Sequence, residues 1–396
     1  MRRSVHFGAG KIGRGLIGRL LLAGGYKVAF VDANIELVNL LREEGSYLVK
    51  TIGEERRTHT VTGFEVFHVS DEDEIVARIV ECDLITTSVG PRAFHAVAPT
   101  IRRGLEARVD AGNLEPVDIV ACENMAGASN HLRSLILDGS SPKCRRFVEE
   151  KVGFPESQIG TIAPTSYENL PTEHPLTVFT ESNEEFYIDR KALRGNYEKV
   201  PGIQFVDNIA AFVDRKVFTV NTGHAVGGYI GYLHGYTYIH EVMADPNIRG
   251  VVVGALDEID YVLVKEHGFD PNEQGLYTRR VIRRFENPEM KDPISRVARD
   301  PARKLGPQDR LIRPARLAIK HGLTPANIIL GIAAAFFYDA PEGPQAVKFS
   351  ERVRNNGPEA ILREICGLSR DEELWSLIMA AYERIRREKK TWRSSP

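Results

Sequence analysis

Cysteine is scarce in this 396-residue chain: Cys82, Cys122, Cys144 and Cys366 lie far apart, with no C-x-x-C pair and no spacing that suits a disulfide-stapled domain. Free thiols fit a reducing cytosol, and Cys82 and Cys122, set in apolar surroundings, read as small core residues. An excess of one charge is missing as well. Lys and Arg number 52 against 54 Asp and Glu, a formal net charge of -2. That balance gives no electrostatic reason to expect nucleic acid or an anionic membrane as partner. No run approaches the ~20 apolar residues of a membrane span; the longest, IILGIAAAFFY at 328–338, reads as a buried helix. The basic start Met1-Arg2-Arg3 breaks into glycines before an apolar signal core can form. The expectation is a cytoplasmic protein acting on a small molecule, with any anion site a local cluster.

What is present is the composition of a globular protein, 42% hydrophobic and 27% charged, at a length that calls for two domains. In the first third, short apolar runs alternate with helical patterns. SVHF (4–7), KVAFVDA (27–33), TVTGFEVFHV (60–69), DLITTSVG (83–90) and VDIVACEN (117–124) read as extended; KIGRGLIGRLLLAGG (11–25) and IELVNLLREEG (35–45) read as helix. Strand–helix alternation with continuous apolar strands predicts an α/β domain, a Rossmann-type doubly wound parallel sheet. Pro164, Pro171 and Pro175 then punctuate the chain before two extended segments, LTVFTES and EEFYIDR. From about 204 the pattern is helical, in runs such as YTRRVIRRFENP and ELWSLIMAAYERIRREKK. The boundary is placed near 195, giving a dinucleotide-binding domain at 1–195 and a mainly helical substrate domain at 196–396. The tail RIRREKKTWRSSP reads as a solvated helix end.

The strongest local motif follows Phe7: Gly8-Ala9-Gly10-Lys11-Ile12-Gly13, with Arg14 next, satisfies G-x-G-x-x-G between a strand and a helix. Gly8 permits the tight turn, Gly10 lets backbone approach a pyrophosphate, and Gly13 allows close helix–strand packing. The helix N-terminus then holds the phosphates. A glycine-rich turn alone carries little, but Asp32 ends the second strand where a carboxylate accepts from adenosine ribose hydroxyls. It would repel a 2′-phosphate, and Ala33-Asn34-Ile35 supplies no arginine, so NAD is expected rather than NADP. Thr87, Ser88, Val89 and Gly90 end a later strand on the nicotinamide side, since ligands sit at the carboxyl ends of such strands.

Hydride removal from an alcohol needs a group to take the hydroxyl proton and donors for the developing alkoxide. A zinc site is not expected, because none of the eleven histidines forms H-E-x-x-H or accompanies a cysteine pair. Tyr–Lys pairs at four-residue spacing occur at Tyr187/Lys191 and Tyr261/Lys265, but thirteen residues upstream stand His174 and Ile248 rather than serine. A lone lysine remains. Lys216, Asn221 and His224 fall within about 140° of one another on a helical wheel. A straight helix would separate Lys216 from His224 by roughly 12 Å, unless it deforms near Gly223. Spacing alone favours a polar helix face with a core histidine.

K-x-x-x-x-N-x-x-H, present as Lys216–Asn221–His224, together with HFGAGKIGRG (6–15), TTSVGP (86–91), ACENM (121–125), RKVFTVNTGHA (215–225), RFENP (284–288) and RKL…DRLIRP (303–314), resembles the polyol-specific long-chain dehydrogenases over nearly the whole chain. Departures are minor: Lys11 stands where asparagine is common, and the tail is basic and slightly extended. The resemblance implies reversible oxidation of mannitol 1-phosphate by NAD to fructose 6-phosphate in a cleft between the domains, by a monomer. Lys216 would be the general base; a free lysine, with a pKa of about 10.4, is a poor one until its surroundings lower that value. Asn221 and Asn124 would hold the alkoxide and His224 would orient a substrate hydroxyl. Thr219, Arg284 and Lys291 are further substrate candidates, with Arg303, Lys304 and Arg310 as additional cations for the phosphate. The same scaffold serves free-polyol dehydrogenases and hexuronate reductases. A non-catalytic NAD(H) sensor would keep the glycine motif and Asp32 but has no need of Lys216, Asn221 and His224 together.

Overall fold

The computed structural model describes residues 2–52, 55–161, 163, 174–182, 184–195, 200–341 and 343–392. Pro164, Pro171 and the last four residues of the tail lie outside them. The chain forms two compact units, Met1–Phe212 and Val213–Pro396.

The strands of the first unit are β1 (Arg3–Phe7), β2 (Lys27–Asp32), β3 (Ser46–Ile52), β4 (Thr58–Thr62), β5 (Glu65–His68), β6 (Leu84–Thr87), β7 (Val117–Ala121), β8 (Val152–Gly153), β9 (Ser157–Ile159), β10 (Val178–Glu181), β11 (Phe186–Asp189) and β12 (Gln204–Val206). The main sheet has the order β5-β2-β1-β6-β7-β8, parallel throughout. β6 and β7 are buried at every position, as strands covered on both faces must be. One face packs Val5, Phe7, Ile85 and Ile119 against the helices Glu72–Glu81 and Phe94–Asp110. The other packs Leu16, Ile17, Phe30 and Tyr47. The strand order reverses between β1 and β6, so their carboxyl ends, Phe7 and Thr87, stand side by side in register at the place where such sheets bind ligands. The segments LTVFTES and EEFYIDR do each hold a strand, but in different small sheets: β10 pairs with β3, and β11 with β9 and β12.

From Ile209 onward the described chain is helical. The helix Thr222–Leu233 is buried along most of its length and packs against Ala326–Ala335 and Pro246–His267. Glycine sets the spacing: a Cβ on Gly331 would come within 2.6 Å of Val226. Among the described residues no helix is long and apolar enough to cross a membrane.

Candidate active site

In the first unit, the turn after β1 shows why each glycine is there. Gly8 has φ +104, and a Cβ on it would come within 2.7 Å of the Ser88 carbonyl oxygen. A Cβ on Gly13 would come within 1.9 Å of the Gly8 carbonyl oxygen. A Cβ on Gly10 would meet nothing within 4 Å. Two glycines thus permit close packing, while the third, exposed, leaves its backbone open to a ligand. The Ala9 amide donates to Asp32 Oδ2 at 2.7 Å and the Asn34 amide to Oδ1 at 2.8 Å. The carboxylate is thereby fixed at the end of β2. Arg14 is buried beneath the turn, its Nε donating to the Ala9 carbonyl at 2.7 Å and its Nη1 to the Leu176 carbonyl at 2.8 Å. Lys11 is half-buried and Ile12 packs against the core on the Phe30 face.

Beneath this turn lies a residue that motif reading did not single out. His6 is fully buried, its Nδ1 2.7 Å from Thr86 Oγ1 and its Nε2 2.9 Å from Ser88 Oγ. Ser88 Oγ in turn donates to the Gly8 carbonyl at 3.2 Å. Burial lowers the imidazole pKa to about 3. A neutral ring protonated on Nε2 donates to Ser88 and accepts from Thr86, which satisfies the whole chain of groups.

Val89 and Gly90 follow Ser88, and their amides donate to Glu123, at 2.9 Å to Oε1 and 3.0 Å to Oε2; Thr87 Oγ1 adds a bond of 3.3 Å to Oε1. Burial nonetheless raises the Glu123 pKa, against the pull of those donors. Asn124, next in sequence, is exposed just beyond β7.

The helix Ile209–Lys216, whose last turn opens the second unit, runs into a π-helical turn, Val217–Asn221, before continuing as Thr222–Leu233. The Thr222 amide reaches back to the Val217 carbonyl, an i→i−5 bond. The extra residue in a π-turn brings positions five apart closer in angle than the about 140° of an ideal helix, and Lys216 and Asn221 flank this turn. The deformation thus falls one turn earlier than Gly223. Gly223 has another task. A Cβ there would come within 2.7 Å of the Phe285 ring, which packs against His224 with centroids 4.3 Å apart and the rings tilted by 32°.

Lys216 and Asn221 are half-buried and His224 is buried. His224 Nε2 faces Asp292 Oδ2 at 3.2 Å, and Asp292 Oδ1 also pairs with Arg296. Burial lowers the imidazole pKa; Asp292 opposes this, while Arg284 and Arg296 add to it. Burial alone would raise Asp292, but His224 and Arg296 outweigh it and bring the carboxyl to about 2. Asp292, Phe285 and Glu123 escaped sequence reading; the last two lie inside the RFENP and ACENM segments, but no spacing marks their chemistry.

The remaining candidates separate clearly. Arg284 is half-buried and close enough to His224 to bias its proton affinity. Lys291 is exposed, with φ 40, one residue before Asp292. Thr219 is fully buried, its hydroxyl 3.5 Å from Gln274 Nε2. That amide and the Thr278 hydroxyl hold Asp260 Oδ1 at 2.8 and 2.6 Å, and burial raises the Asp260 pKa to about 6. Arg303 pairs with Asp300 and Arg310 with Asp309. Lys304 is buried with Nζ on the Arg299 carbonyl, and burial followed by Arg310 and Arg303 lowers it to about 7. Of the two Tyr–Lys pairs, Tyr261 donates to the His321 carbonyl at 2.8 Å, and Tyr187 packs on Phe212. Among the described residues no three His, Cys, Asp or Glu side chains group as metal ligands would.

Two family models match in tandem: the mannitol dehydrogenase Rossmann domain over residues 2–201 and the mannitol dehydrogenase C-terminal domain over 208–386. The chain belongs to the mannitol dehydrogenase family. As a mannitol dehydrogenase family member it is a polyol oxidoreductase, and its fold recurs in solved relatives. Mannitol 2-dehydrogenase of Pseudomonas fluorescens, solved with NAD and D-mannitol, is 17% identical with a TM-score of 0.74, over 100% of this chain and 95% of that one. A D-sorbitol dehydrogenase is 16% identical with a TM-score of 0.83, over 98% and 93%. At these identities the likeness is one of fold.

Proposed function

We propose that this mannitol dehydrogenase family member is a mannitol-1-phosphate 5-dehydrogenase, interconverting D-mannitol 1-phosphate and D-fructose 6-phosphate with NAD, and that Lys216 is its general base. The observation that carries the reading is the π-helical turn at Val217–Asn221, which changes the helix pitch between Lys216 and Asn221 just before His224. The open backbone at Gly10, the close-packed Gly8 and Gly13, and the Asp32 carboxylate at the end of β2 fit a dinucleotide's pyrophosphate and ribose. NAD, when bound, supplies the hydride acceptor. Lys216 takes the proton of the reacting hydroxyl. Asn221 and Asn124 donate hydrogen bonds to the oxygen as charge develops on it. His224, held by Asp292 and Phe285, orients a substrate hydroxyl.

Arg284 and Lys291 are the cations assigned to the phosphate: Arg284 is half-buried and close enough to His224 to bias its proton affinity, and Lys291 is exposed one residue before Asp292. The test is NADH oxidation with fructose 6-phosphate beside unphosphorylated fructose. A preference on the order of a hundredfold in kcat/KM is expected from charge-assisted bonds to phosphate, and Arg284→Ala should erase most of it through KM. Equal or better use of fructose favours a free-polyol dehydrogenase, the activity that the mannitol 2-dehydrogenase and sorbitol dehydrogenase relatives carry in their names.

A further inference from the structure

Two loops leave the carboxyl ends of neighbouring strands in the first unit. One follows β6 and contains Ser88, Val89 and Gly90; the other follows β7 and contains Glu123 and Asn124. The parallel ladder reaches Thr87 and Ala121, and one more backbone bond, from the Cys122 amide to the Thr87 carbonyl at 2.9 Å, closes it. Past that point the carboxylate of Glu123 bridges the loops, through two consecutive backbone amides and the Thr87 hydroxyl. The conformation of Gly90, φ 84 and ψ 144, is one that side-chain-bearing residues rarely adopt, although a Cβ there would meet nothing within 4 Å. Glycine is therefore needed at this point for its backbone shape, the shape in which both amides reach one carboxylate.

The anchoring on the β7 side is just as firm. The Ala121 amide donates to Ser129 Oγ at 3.1 Å, and Ser157 Oγ donates to the Ala121 carbonyl at 2.9 Å. Glu123 thus projects from a fixed strand end, and the loop after β6 is hung on it. Ser88 extends the arrangement to the glycine turn through Gly8.

We propose that Glu123 is a positioning residue that holds the cofactor-side loop Ser88–Gly90 in register with Asn124, so that one carboxylate sets both the hydride acceptor's seat and the oxyanion donor. The inference rests on the dinucleotide and Asn124 assignments made above. Replacing the carboxylate by an amide puts an NH2 group against one of the two backbone donors, and that bond is lost.

The experiment compares wild type, Glu123→Gln and Gly90→Ala by thermal melting, NADH titration and the primary deuterium isotope effect on kcat/KM with substrate deuterated at the reacting carbon. For Glu123→Gln we expect NADH Kd to rise about tenfold, the worth of one charge-assisted bond, and the isotope effect to grow because hydride transfer becomes slower than the surrounding steps. Gly90→Ala, which keeps the carboxylate but strains the amide it holds, should show the same pair of changes. Should Glu123→Gln fail to fold, Gly90→Ala decides alone. A lower melting temperature with NADH Kd and isotope effect within about twofold of wild type makes Glu123 a scaffold residue and overturns the proposal. Failure of the wild type itself to bind NADH would instead overturn the cofactor assignment beneath it.

Discussion

His6 shows how much one buried side chain can decide. Its ring joins Thr86 to Ser88 under the glycine turn and is held neutral, with a pKa lowered from 6.5 to about 3 by burial. Between those two values the unfolded chain binds a proton that the folded chain refuses, so stability is full above pH 6.5 and falls as the pH drops toward 3. The shift corresponds to a loss on the order of 5 kcal/mol across that window. His6→Gln, which cannot charge, should therefore have a shallower decline of melting temperature between pH 6.5 and 4 than wild type, starting from a lower value at pH 7. Parallel declines would show that His6 accepts its proton in the folded state. The letter is plain in the HFGAG segment, but its partners lie eighty residues or more away in Thr86 and Ser88, and no local spacing reports them. Asp292 is the same case: a carboxylate in a loop whose meaning comes from His224.

At the scale of elements, the π-turn at Val217–Asn221 is supported from several sides. Asp214, just before it, takes both terminal nitrogens of Arg313 at 2.6 and 2.7 Å as well as His267 Nε2 at 2.8 Å. Thr222, just after it, donates to the Arg310 carbonyl at 2.5 Å. Arg310 and Arg313 both belong to the DRLIRP segment, which gives that segment a reason to accompany the lysine helix. Gly223 matters because Phe285 must reach His224. Gly223→Ala places a methyl group 2.7 Å from the ring, and overpacking of this kind costs about 1–3 kcal/mol. We expect a lower urea midpoint together with reduced turnover as Phe285 is displaced from His224; unchanged turnover would disconnect Phe285 from the histidine's function. The five-residue interval from Lys216 to Asn221 was legible, but not that it would be bridged by a π-turn. Helical periodicity identifies a helix without fixing its local pitch, which here is set by contacts with Arg310, Arg313 and Gln274.

At the scale of the whole molecule, the parallel sheet and the change to helix were legible because both rest on repeating patterns: buried apolar strands with glycine turns, then three- and four-residue spacing. Ser46–Ile52 alternates between half-buried and buried positions over its first six residues, but the continuous run Tyr47-Leu48-Val49 and the buried Thr51 hide that period, so this strand escaped sequence reading. Its parallel partner Val178–Glu181 is too remote in the chain for any local signal. The candidate chemistry is divided between the two units, the glycine turn, Asp32, Glu123 and Asn124 in one, and Lys216, Asn221, His224 and Asp292 in the other. The claim that gives this division a purpose is proton removal by a lysine amine. It is tested most directly by the steady-state turnover and pH profile of Lys216→Ala. A loss of ~10²–10⁴-fold in kcat for polyol oxidation, with NADH affinity retained and the acid limb of wild type's profile abolished, is the predicted result. A loss of only a few fold with the profile unchanged would contradict it.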